Sequence, residues 1–499
     1  MSEPTLVVGA GPVGLTMAAE LARYGLPVRI IDRAAGPTDK SKALVIWSRT
    51  LELIDRMGCA PTFLEAGLKV KSARIVAGAR EIAQIHLDEV HSPYPFALMI
   101  PQSETERLME EHLRRLGVEV ERRVELARFE QDEAGVSYTL EHADGREETG
   151  RAPWLIGCDG AHSTVRHALG VGFEGETLPS EWVLADTHLD GLPDGPPEVR
   201  IHWHRDGALA LFPIAPGRYR VIADVGDAQE EGRRPDPTLE EIQAILDARG
   251  PGGVTISSPF WLASFRINER KVVDYRSGRV FLAGDAAHIH SPAGGQGMNT
   301  GMQDACNLAW KLAMVEQGVA SPEPMLASYN IERGEVGRRV LQDAGRFTWL
   351  AILRGGIQQE ARNAIASLVF GLAPVRRAMA DQLTELSIGY PKSPLTFRSH
   401  HASGGPAPGD RAPLDGLSEP VGSGSTPRFA IYAAPDAEGS AMIAKYPAVL
   451  EPEPRKPFAE GGIWLVRPDG YISSASSRWA ETEADLRKML GEPGVLPSG

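Results

Sequence analysis

Gly9-Ala-Gly-Pro-Val-Gly14 is a glycine-rich turn near the start of this chain. The apolar segment from Thr5 to Val8 before it reads as a strand, and residues 12–24 after it carry the apolar spacing of a helix. Residues 27–31 then read as a second strand. A glycine-rich turn alone is weak evidence, but between the strand and the helix of a βαβ unit it indicates a dinucleotide-binding domain.

The three glycines and the acidic residue that follows them fit the parts of a dinucleotide. Gly9 permits the tight turn, Gly11 lets the backbone approach a pyrophosphate, and Gly14 lets the helix pack closely on the strand. The start of the helix offers free N–H groups and a partial positive charge to phosphate. Asp32 ends the second strand, where its carboxylate would accept hydrogen bonds from a ribose diol.

A second glycine-rich region lies more than two hundred residues further along the chain. Gly284-Asp285 closes the apolar strand 280–283, and Pro292-Ala-Gly-Gly-Gln-Gly-Met-Asn299 leads into a helix predicted over 298–315. Its free backbone N–H groups can meet a ring system, and the positive helix end suits the anionic edge of a reduced flavin. Asp285 alone reads equally well as a helix N-cap or a structural ion pair. The two regions together indicate one elongated ligand, non-covalently bound FAD, rather than NAD.

Composition and charge exclude several classes of partner. A length of 499 residues suggests two to four domains, and 42% apolar with 24% charged residues is typical of a globular protein. We expect no membrane span and no signal peptide. The net charge of −14, without a basic stripe, disfavours nucleic acid. Three cysteines without a Cys-x-x-Cys pair fit the cytoplasm, and we expect no metal site, since His288 and His290 belong to the flavin-binding region.

The order of the elements predicts an α/β fold class. It consists of a Rossmann-like FAD-binding domain with an inserted, mainly antiparallel β substrate domain, a helical segment and a small C-terminal α/β domain. A Gly/Pro/Ser-rich stretch from His401 to Arg428 predicts a linker before the C-terminal domain. The predicted bounds are 1–180 with 276–335 for the FAD-binding domain, 181–275 for the substrate domain, 336–399 for the helical segment and 400–499 for the C-terminal domain.

The chain resembles the class A flavoprotein aromatic hydroxylases, the superfamily of para-hydroxybenzoate hydroxylase and phenol hydroxylase. Three separated motifs carry the resemblance over about residues 4–390: Gly9-x-Gly11-x-x-Gly14, Cys158-Asp159-Gly160, and Gly284-Asp285 with its tail. By length and C-terminal composition it is most similar to the members that tailor aromatic polyketides or degrade phenols. From Gly409-Asp-Arg-Ala-Pro413 onward it resembles the thioredoxin-like domain of the larger members, but without cysteines, which implies a packing or dimerising role.

The resemblance implies roles for individual residues. Asp32 would hold the adenosine ribose, Gln102 would contact FAD near its pyrophosphate, and Asp159 would serve both FAD and NAD(P)H. Asp285 would hold the ribityl chain, and Pro292 would border the ring face where oxygen reacts. The residues expected to bind the cofactor are Gly9, Gly11, Val13, Gly14, Asp32, Arg33, Lys42, Gln102, Asp159, Asp285, Pro292, Gly295, Gly297, Met298 and Asn299.

Two features limit what the resemblance implies. Many relatives have Ser-Arg-Ala where this chain has Ser41-Lys42-Ala43, and lysine keeps the charge but lacks the planar fork of arginine. Phenol hydroxylase carries an acidic residue that residues 44–48 lack, so no catalytic residue is assigned. In the substrate domain, Phe212 and Pro213 are equally candidates for the pocket and for the core. His202 and His204 share one face of a predicted strand. That face could line a substrate pocket, but the sequence favours a face that is exposed to solvent.

The resemblance implies an FAD-dependent monooxygenase that hydroxylates a small aromatic, phenolic or polyketide-type substrate. NADPH or NADH would reduce the flavin transiently, and O2 would form the C4a-hydroperoxide that gives its oxygen to the ring. Two alternatives stay open: Baeyer–Villiger oxygen insertion on the same fold, and a non-catalytic flavin-binding protein. The sequence allows a homodimer and does not name the substrate. We also expect that removal of residues 400–499 leaves flavin binding intact but lowers stability or alters the oligomeric state.

Overall fold

The computed structural model describes residues 3–38, 41–228, 232, 234–292, 294–352, 363, 365–398, 402, 404–414 and 419–491. Its helices are α1 (Pro12–Arg23), α2 (Ser48–Arg56), α3 (Ala60–Ala66), α4 (Gln102–Arg115), α5 (Thr164–Ala168), α6 (Leu239–Arg249), α7 (Gly297–Glu316), α8 (Pro322–Met325), α9 (Ala327–Ile352), α10 (Ala373–Leu383), α11 (Ala437–Lys445) and α12 (Trp479–Leu490).

The strands fall into five sheets. In chain order they are β1 (Thr5–Val8), β2 (Val28–Asp32), β3 (Val45–Ile46), β4 (Leu68–Val70), β5 (Ser72–Ala77), β6 (Arg80–His86), β7 (Ala97–Met99), β8 (Val120–Arg122), β9 (Val124–Gln131), β10 (Val136–His142), β11 (Glu147–Ala152), β12 (Leu155–Gly157), β13 (Phe173–Asp190), β14 (Val199–His202), β15 (Leu209–Ala215), β16 (Arg218–Asp227), β17 (Thr255–Val272), β18 (Arg276–Ser277), β19 (Val280–Leu282), β20 (His288–Ile289), β21 (Ala430–Tyr432), β22 (Ile463–Val466) and β23 (Ile472–Ser476).

A mainly parallel sheet forms the centre of the first domain and confirms the predicted Rossmann-like arrangement. Its order is β18-β19-β12-β1-β2-β8, in which β1 pairs in parallel with both β12 and β2, and only β18 runs antiparallel to its neighbour. The residues of β1, β12 and β19 are all buried, as expected for a parallel sheet covered on both faces. Helices α1 and α7 pack against each other beside this sheet.

An eight-stranded sheet forms the second layer, in the order β20-β17-β13-β16-β15-β14-β5-β6. One face packs against α6, where Leu209 and Leu211 meet Ile242 and Leu246. The predicted antiparallel substrate sheet is therefore present, but its bounds differ from 181–275. Strand β13 begins at Phe173, and β5 and β6 join the edge because β5 pairs in parallel with β14. Such pairing between distant segments leaves no mark in the local pattern of residues 72–86.

The C-terminal part is a small α/β unit, as predicted, with β21, β22 and β23 in an antiparallel sheet beside α11 and α12. Residues 401, 403 and 415–418 of the predicted linker region lie outside the described residues. The described part of that region is not a free linker. The Arg411 guanidinium lies 3.0 Å from Glu52 Oε1, and Arg23 Nη1 donates to Gly422 O at 2.9 Å. The predicted boundary at residue 336 also falls inside a helix, since α9 begins at Ala327.

Helix α4 begins at Gln102, and Glu106 accepts hydrogen bonds from Gln102 Nε2 and Thr38 N. Within the described residues, no helix is both long and apolar enough to cross a membrane.

Candidate active site

The parallel sheet brings the predicted motifs together at one edge. Strands β2, β1, β12 and β19 lie side by side, and their carboxyl ends lead into Asp32, Gly9, Asp159 and Asp285 respectively. Ligands of open α/β sheets bind at this edge. The two glycine-rich regions, separated by more than two hundred residues, therefore border the same space.

Each glycine of the first turn meets a different steric demand. Gly9 has φ +102°, and a Cβ there would lie 2.4 Å from Cys158 O. A Cβ on Gly14 would lie 1.8 Å from Gly9 O, so α1 can approach β1 only with glycine at this position. Gly11 has no atom within 4 Å of a built Cβ, because its open side faces the cavity. The three predicted roles thus have direct steric counterparts.

Asp32 holds the turn as well as facing the ligand space. Its Oδ2 accepts from Ala10 N at 2.6 Å, and its Oδ1 accepts from Ala34 N at 2.7 Å. The side chain remains partly exposed and lines a cavity of about 220 Å³ together with Gly9 and Arg33. A carboxylate oxygen accepts more than one hydrogen bond, so capacity remains for a ribose diol.

A larger cavity of about 490 Å³ lies between the parallel sheet and the eight-stranded sheet. It shares Gly11, Arg33 and Asp159 with the smaller cavity, so the two form one elongated space. The predicted cofactor-binding residues that line the larger cavity are Gly11, Val13, Arg33, Lys42, Gln102, Asp159, Asp285, Pro292, Gly295, Gly297 and Met298.

Two aspartates present carboxylates to this space in different ways. Asp285 is exposed to the cavity, yet the protein around it raises its pKa by desolvation, while His288 and Lys42 act in the opposite direction. Asp159 Oδ2 accepts from Val165 N at 3.1 Å, whereas its Oδ1 is buried without a hydrogen-bond partner among the described residues. Burial likewise raises the pKa of Asp159. Both groups therefore lack full solvation and would gain from hydroxyl donors of a ligand.

Residues 41–43 form the wall between the two sheets. The Gln102 side chain accepts from Ala43 N at 3.1 Å, so it braces this wall in addition to lining the cavity. Arg220 of β16, a residue the sequence did not single out, donates to the carbonyl oxygens of Lys42, at 2.8 Å, and Ser41. Asp186 holds Arg220 in turn, with Oδ1 2.7 Å from Nε, and both side chains are buried. This clamp fixes the backbone that carries Lys42.

The Asn299 side chain connects the second glycine-rich region to β3. Its side chain is fully buried and bonds Trp47 N at 2.9 Å, Val45 O at 2.8 Å and Gly295 O at 3.0 Å. These bonds tie the glycine-rich loop to β3 and turn the amide away from the cavity. A contact between Asn299 and a ring would therefore use its backbone.

Alternation along β15 separates the two predicted pocket residues. Phe212 lines the cavity, together with Ile222 of β16. Pro213 points to the opposite face of the sheet, because successive side chains of a strand alternate, so it does not line the pocket. His202 pairs with Leu209 on that same opposite face. It is buried, and burial lowers its pKa to about 4. β14 ends at His202, so His204 does not continue the predicted histidine face.

Among residues missed in the sequence, His290 lies in the cavity wall. Its Nδ1 bonds Ser291 O at 2.9 Å, and burial lowers its pKa to about 4, which keeps the imidazole neutral. In the sequence, His290 stands out only as one of two histidines with metal-like spacing. Within the described residues, no cluster of three His, Cys, Asp or Glu side chains could hold a metal ion.

A model of the FAD binding domain family matches residues 2–344. The chain belongs to this family. Its residues also fit the cofactor: Gly11 is open toward the cavity, Asp285 presents a free carboxylate, and Asp159 Oδ1 is buried without a partner among the described residues.

The chain is similar to several curated monooxygenases. A 6-methylpretetramide 4-monooxygenase of Streptomyces rimosus is 36% identical over 520 residues, which cover 97% of this chain and 92% of the relative. A pentachlorophenol 4-monooxygenase of Sphingobium chlorophenolicum is 32% identical over 413 residues, which cover 82% and 75%. The solved structure of OxyS anhydrotetracycline hydroxylase from Streptomyces rimosus aligns with a TM-score of 0.79 at 28% identity, covering 99% of this chain and all of that one. The protein is an FAD-dependent aromatic monooxygenase. This confirms the resemblance to the flavoprotein aromatic hydroxylases and the predicted activity.

Proposed function

We propose that this monooxygenase hydroxylates a polycyclic phenol of the aromatic polyketide type, with NADPH or NADH as a transient reductant. The observation that carries the proposal is the shared cavity, which is lined by the apolar residues Phe212 and Ile222 of the substrate sheet and by Pro292 and Met298 of the second glycine-rich region. A planar aromatic ligand would find apolar contacts on both sides. The polyketide-type relative matches 97% of this chain, whereas the single-ring phenol relative matches 82%.

The residues of this chain would bind and orient the cofactor. The start of α1 and the open side of Gly11 would take the pyrophosphate, and Asp32 would accept hydrogen bonds from the adenosine ribose. Asp285 would accept bonds from the ribityl hydroxyls, and the backbone of residues 297–299 would meet the ring edge with the positive end of α7. Bound FAD would supply the electron transfer and the oxygen activation, so the residues of this chain would need only to bind and orient the reactants.

The substrate side of the cavity is mainly apolar and carries one fixed cation. The Arg220 clamp holds positive charge beside Lys42 without leaving it unpaired, since Asp186 accepts from two of its nitrogens. A phenolate or enolate oxygen would be attracted to this end of the cavity, while Phe212 and Ile222 would exclude water from the reacting ring. His290, neutral at physiological pH, would leave that charge balance unchanged.

A transient visit by the nicotinamide follows from the chain's single dinucleotide motif. The sequence has no second Gly-x-Gly-x-x-Gly unit in a βαβ context. Lys42, His162 and Arg33 line the cavity and are exposed, so cationic and polar groups stand at its mouth. Such groups suit the phosphates of a dinucleotide that binds and leaves.

We further propose that the C-terminal unit is thioredoxin-like. The chain would divide into the four predicted units, with their bounds moved to the ends of the observed strands. The protein would form a homodimer. Parallel bridges between Phe429 and Leu450 and between Tyr432 and Arg455 add strand-like pairing to the three-stranded sheet. Sizing of the purified protein by light scattering tests the dimer.

The function is tested by mixing the FAD-loaded enzyme with NADPH or NADH and a panel of phenols that ranges from one ring to four. We expect oxygenated product, detected by mass spectrometry, from a polycyclic member, and peroxide without product from single-ring members. Product from single-ring phenols alone would contradict the proposed substrate class, and a ring-expanded ester or lactone product would favour Baeyer–Villiger insertion.

A further inference from the structure

Glu385 is an acidic residue buried behind the flavin-facing end of α7. It follows α10, is 1% exposed, and has φ +61°, a left-handed conformation that costs a non-glycine residue energy. Strained conformations persist only where the surrounding contacts fix them. The contacts of this carboxyl group indicate what its position serves.

Both carboxyl oxygens contact the first turns of α7. Oε1 lies 3.0 Å from Thr300 Oγ1, and Oε2 accepts from Gln303 Nε2 at 2.5 Å. The same segment reaches the loop before the helix, since Gln296 Nε2 donates to Gln382 O at 2.9 Å. At 1.5 Å of rise per residue, the carboxyl group lies beside the first two turns after Gly297. It is therefore close enough to influence the charge that α7 presents to the cavity.

Arg333 and Asp304 are charged groups that act on Glu385, and they pair with each other, while His288 Nε2 lies 2.8 Å from Asp304 Oδ2. Arg333 of α9 bonds Asp304 of α7 through Nε–Oδ1 at 2.5 Å, and Asp304 also accepts from Gly284 N at 3.0 Å. Burial raises the pKa of Glu385 to about 8, against the effects of Thr300, Arg333 and Gln303. A small cavity of about 60 Å³ is lined by both Glu385 and Arg339, which is partly exposed, and this gives a route for proton exchange.

We propose that Glu385 is a positioning residue that holds the start of α7 against the flavin ring and couples a proton to the charge at that end of the cavity. In its neutral form it leaves the positive end of the helix unopposed. When ionised, it places a negative charge beside the turns that would meet the anionic ring edge, and so weakens flavin binding. The proposal rests on the ring lying at Gly297 and Met298, as in the proposed function.

The test compares Glu385→Gln, a neutral isostere, with wild type and with Glu335→Gln, which serves as the control because Glu335 is a partly exposed carboxylate of α9 that pairs with Arg338 and Arg339. FAD affinity is measured by fluorescence titration between about pH 6.5 and pH 9.5. We expect wild type and Glu335→Gln to lose about tenfold in affinity with a midpoint near 8, and Glu385→Gln to stay flat. An unchanged midpoint in Glu385→Gln would overturn the proposal.

Apoprotein stability separates this proposal from the proposed function, because it needs neither FAD nor turnover. The folded protein keeps the Glu385 proton up to about pH 8, whereas the unfolded chain loses it near the ordinary value of glutamate. The free energy of unfolding of wild type must therefore fall as pH rises across that window. Glu385→Gln should reduce this slope, and an equal slope would overturn the buried-proton claim.

A second variant covers the case in which Glu385→Gln does not fold. In wild type, the hydrogen bond from Thr300 lowers the pKa of the Glu385 carboxyl group. Thr300→Val removes this bond. The midpoint of FAD binding should then move upward by about one pH unit. A midpoint that stays in place, or moves down, would overturn the proposal.

Discussion

Arg467 of the C-terminal part and Glu332 of α9 form a fully buried ion pair, with Nη1 2.6 Å from Oε1 and Nη2 2.9 Å from Oε2. Lys311 of α7 completes the group at 2.8 Å from the same carboxylate. The cluster joins the C-terminal unit to the helix whose first turn faces the cavity. The C-terminal unit is therefore part of the scaffold of the flavin site.

Removal of Arg467 should destabilise the whole protein. Arg467→Met would leave Glu332 and Lys311 buried with an incomplete set of partners, and breaking a buried ion pair costs about 3–5 kcal/mol. Chemical denaturation measures the loss, with Arg478→Met as the control, because Arg478 pairs with Glu481 at the surface. A loss below about 1 kcal/mol would show that the buried pair contributes little.

Deletion of residues 400–499 should, for the same reason, abolish soluble FAD-binding protein. This reverses the expectation from sequence that flavin binding survives the deletion, because the structure places Arg467 and Asp469 inside the shared core. Expression of the truncated chain and FAD titration check it. A yellow, folded truncated protein would contradict the scaffold role.

Gly14→Ala should affect mainly the stability of the protein, whereas Gly11→Ala should affect mainly its affinity for FAD. A Cβ on Gly14 would collide with Gly9 O at 1.8 Å, so Gly14→Ala should destabilise the apoprotein by several kcal/mol. Gly11 has φ −76° and open space around its Cβ position, so the apoprotein of Gly11→Ala should be stable within about 0.5 kcal/mol but bind FAD at least about tenfold more weakly. Thermal unfolding of the apoproteins and FAD titration measure the two effects. Equal FAD affinity in Gly11→Ala and wild type would show that the pyrophosphate does not lie there.

Asp285→Ala should weaken FAD binding by about 1.5–3 kcal/mol, the range of a hydrogen bond to a charged group. Asp159→Ala should have a smaller effect on binding and slow flavin reduction by NAD(P)H. FAD titration and anaerobic stopped-flow reduction separate the two, with the exposed Asp190→Ala as the control. The reverse pattern in the two variants would contradict the assigned roles.

Phe212→Ala should raise the KM for the aromatic substrate while leaving FAD affinity unchanged. Its side chain lines the cavity, and loss of a large apolar contact costs about 2 kcal/mol, or about thirtyfold in KM. Pro213→Ala is the matched control on the opposite face of the same strand. Steady-state kinetics with a turned-over phenol decide it, and equal effects of the two changes would place the substrate elsewhere.

The glycine-rich turn and the position of Asp285 could be predicted from the sequence because they depend on local spacing. The separations within Gly9–Gly14, and the position of Asp285 directly after an apolar strand, are fixed by one turn and one strand end each. The Arg220 clamp, the side of β15 that Pro213 faces, and the burial of Arg467 were not predictable, because each depends on partners that are distant in sequence. The same holds for β5 and β6, which join the substrate sheet through a parallel pairing with β14.

We infer that this cavity couples a reduced flavin to oxygenation of an aromatic ring. Its most direct test is turnover under isotopically labelled O2 with NAD(P)H, FAD and a polycyclic phenol, with product and peroxide measured together. We predict one labelled oxygen atom in the hydroxylated product, with NAD(P)H consumption that rises when substrate is present. NAD(P)H oxidation that ends entirely in peroxide across the phenol panel, with no labelled product, would contradict this coupling.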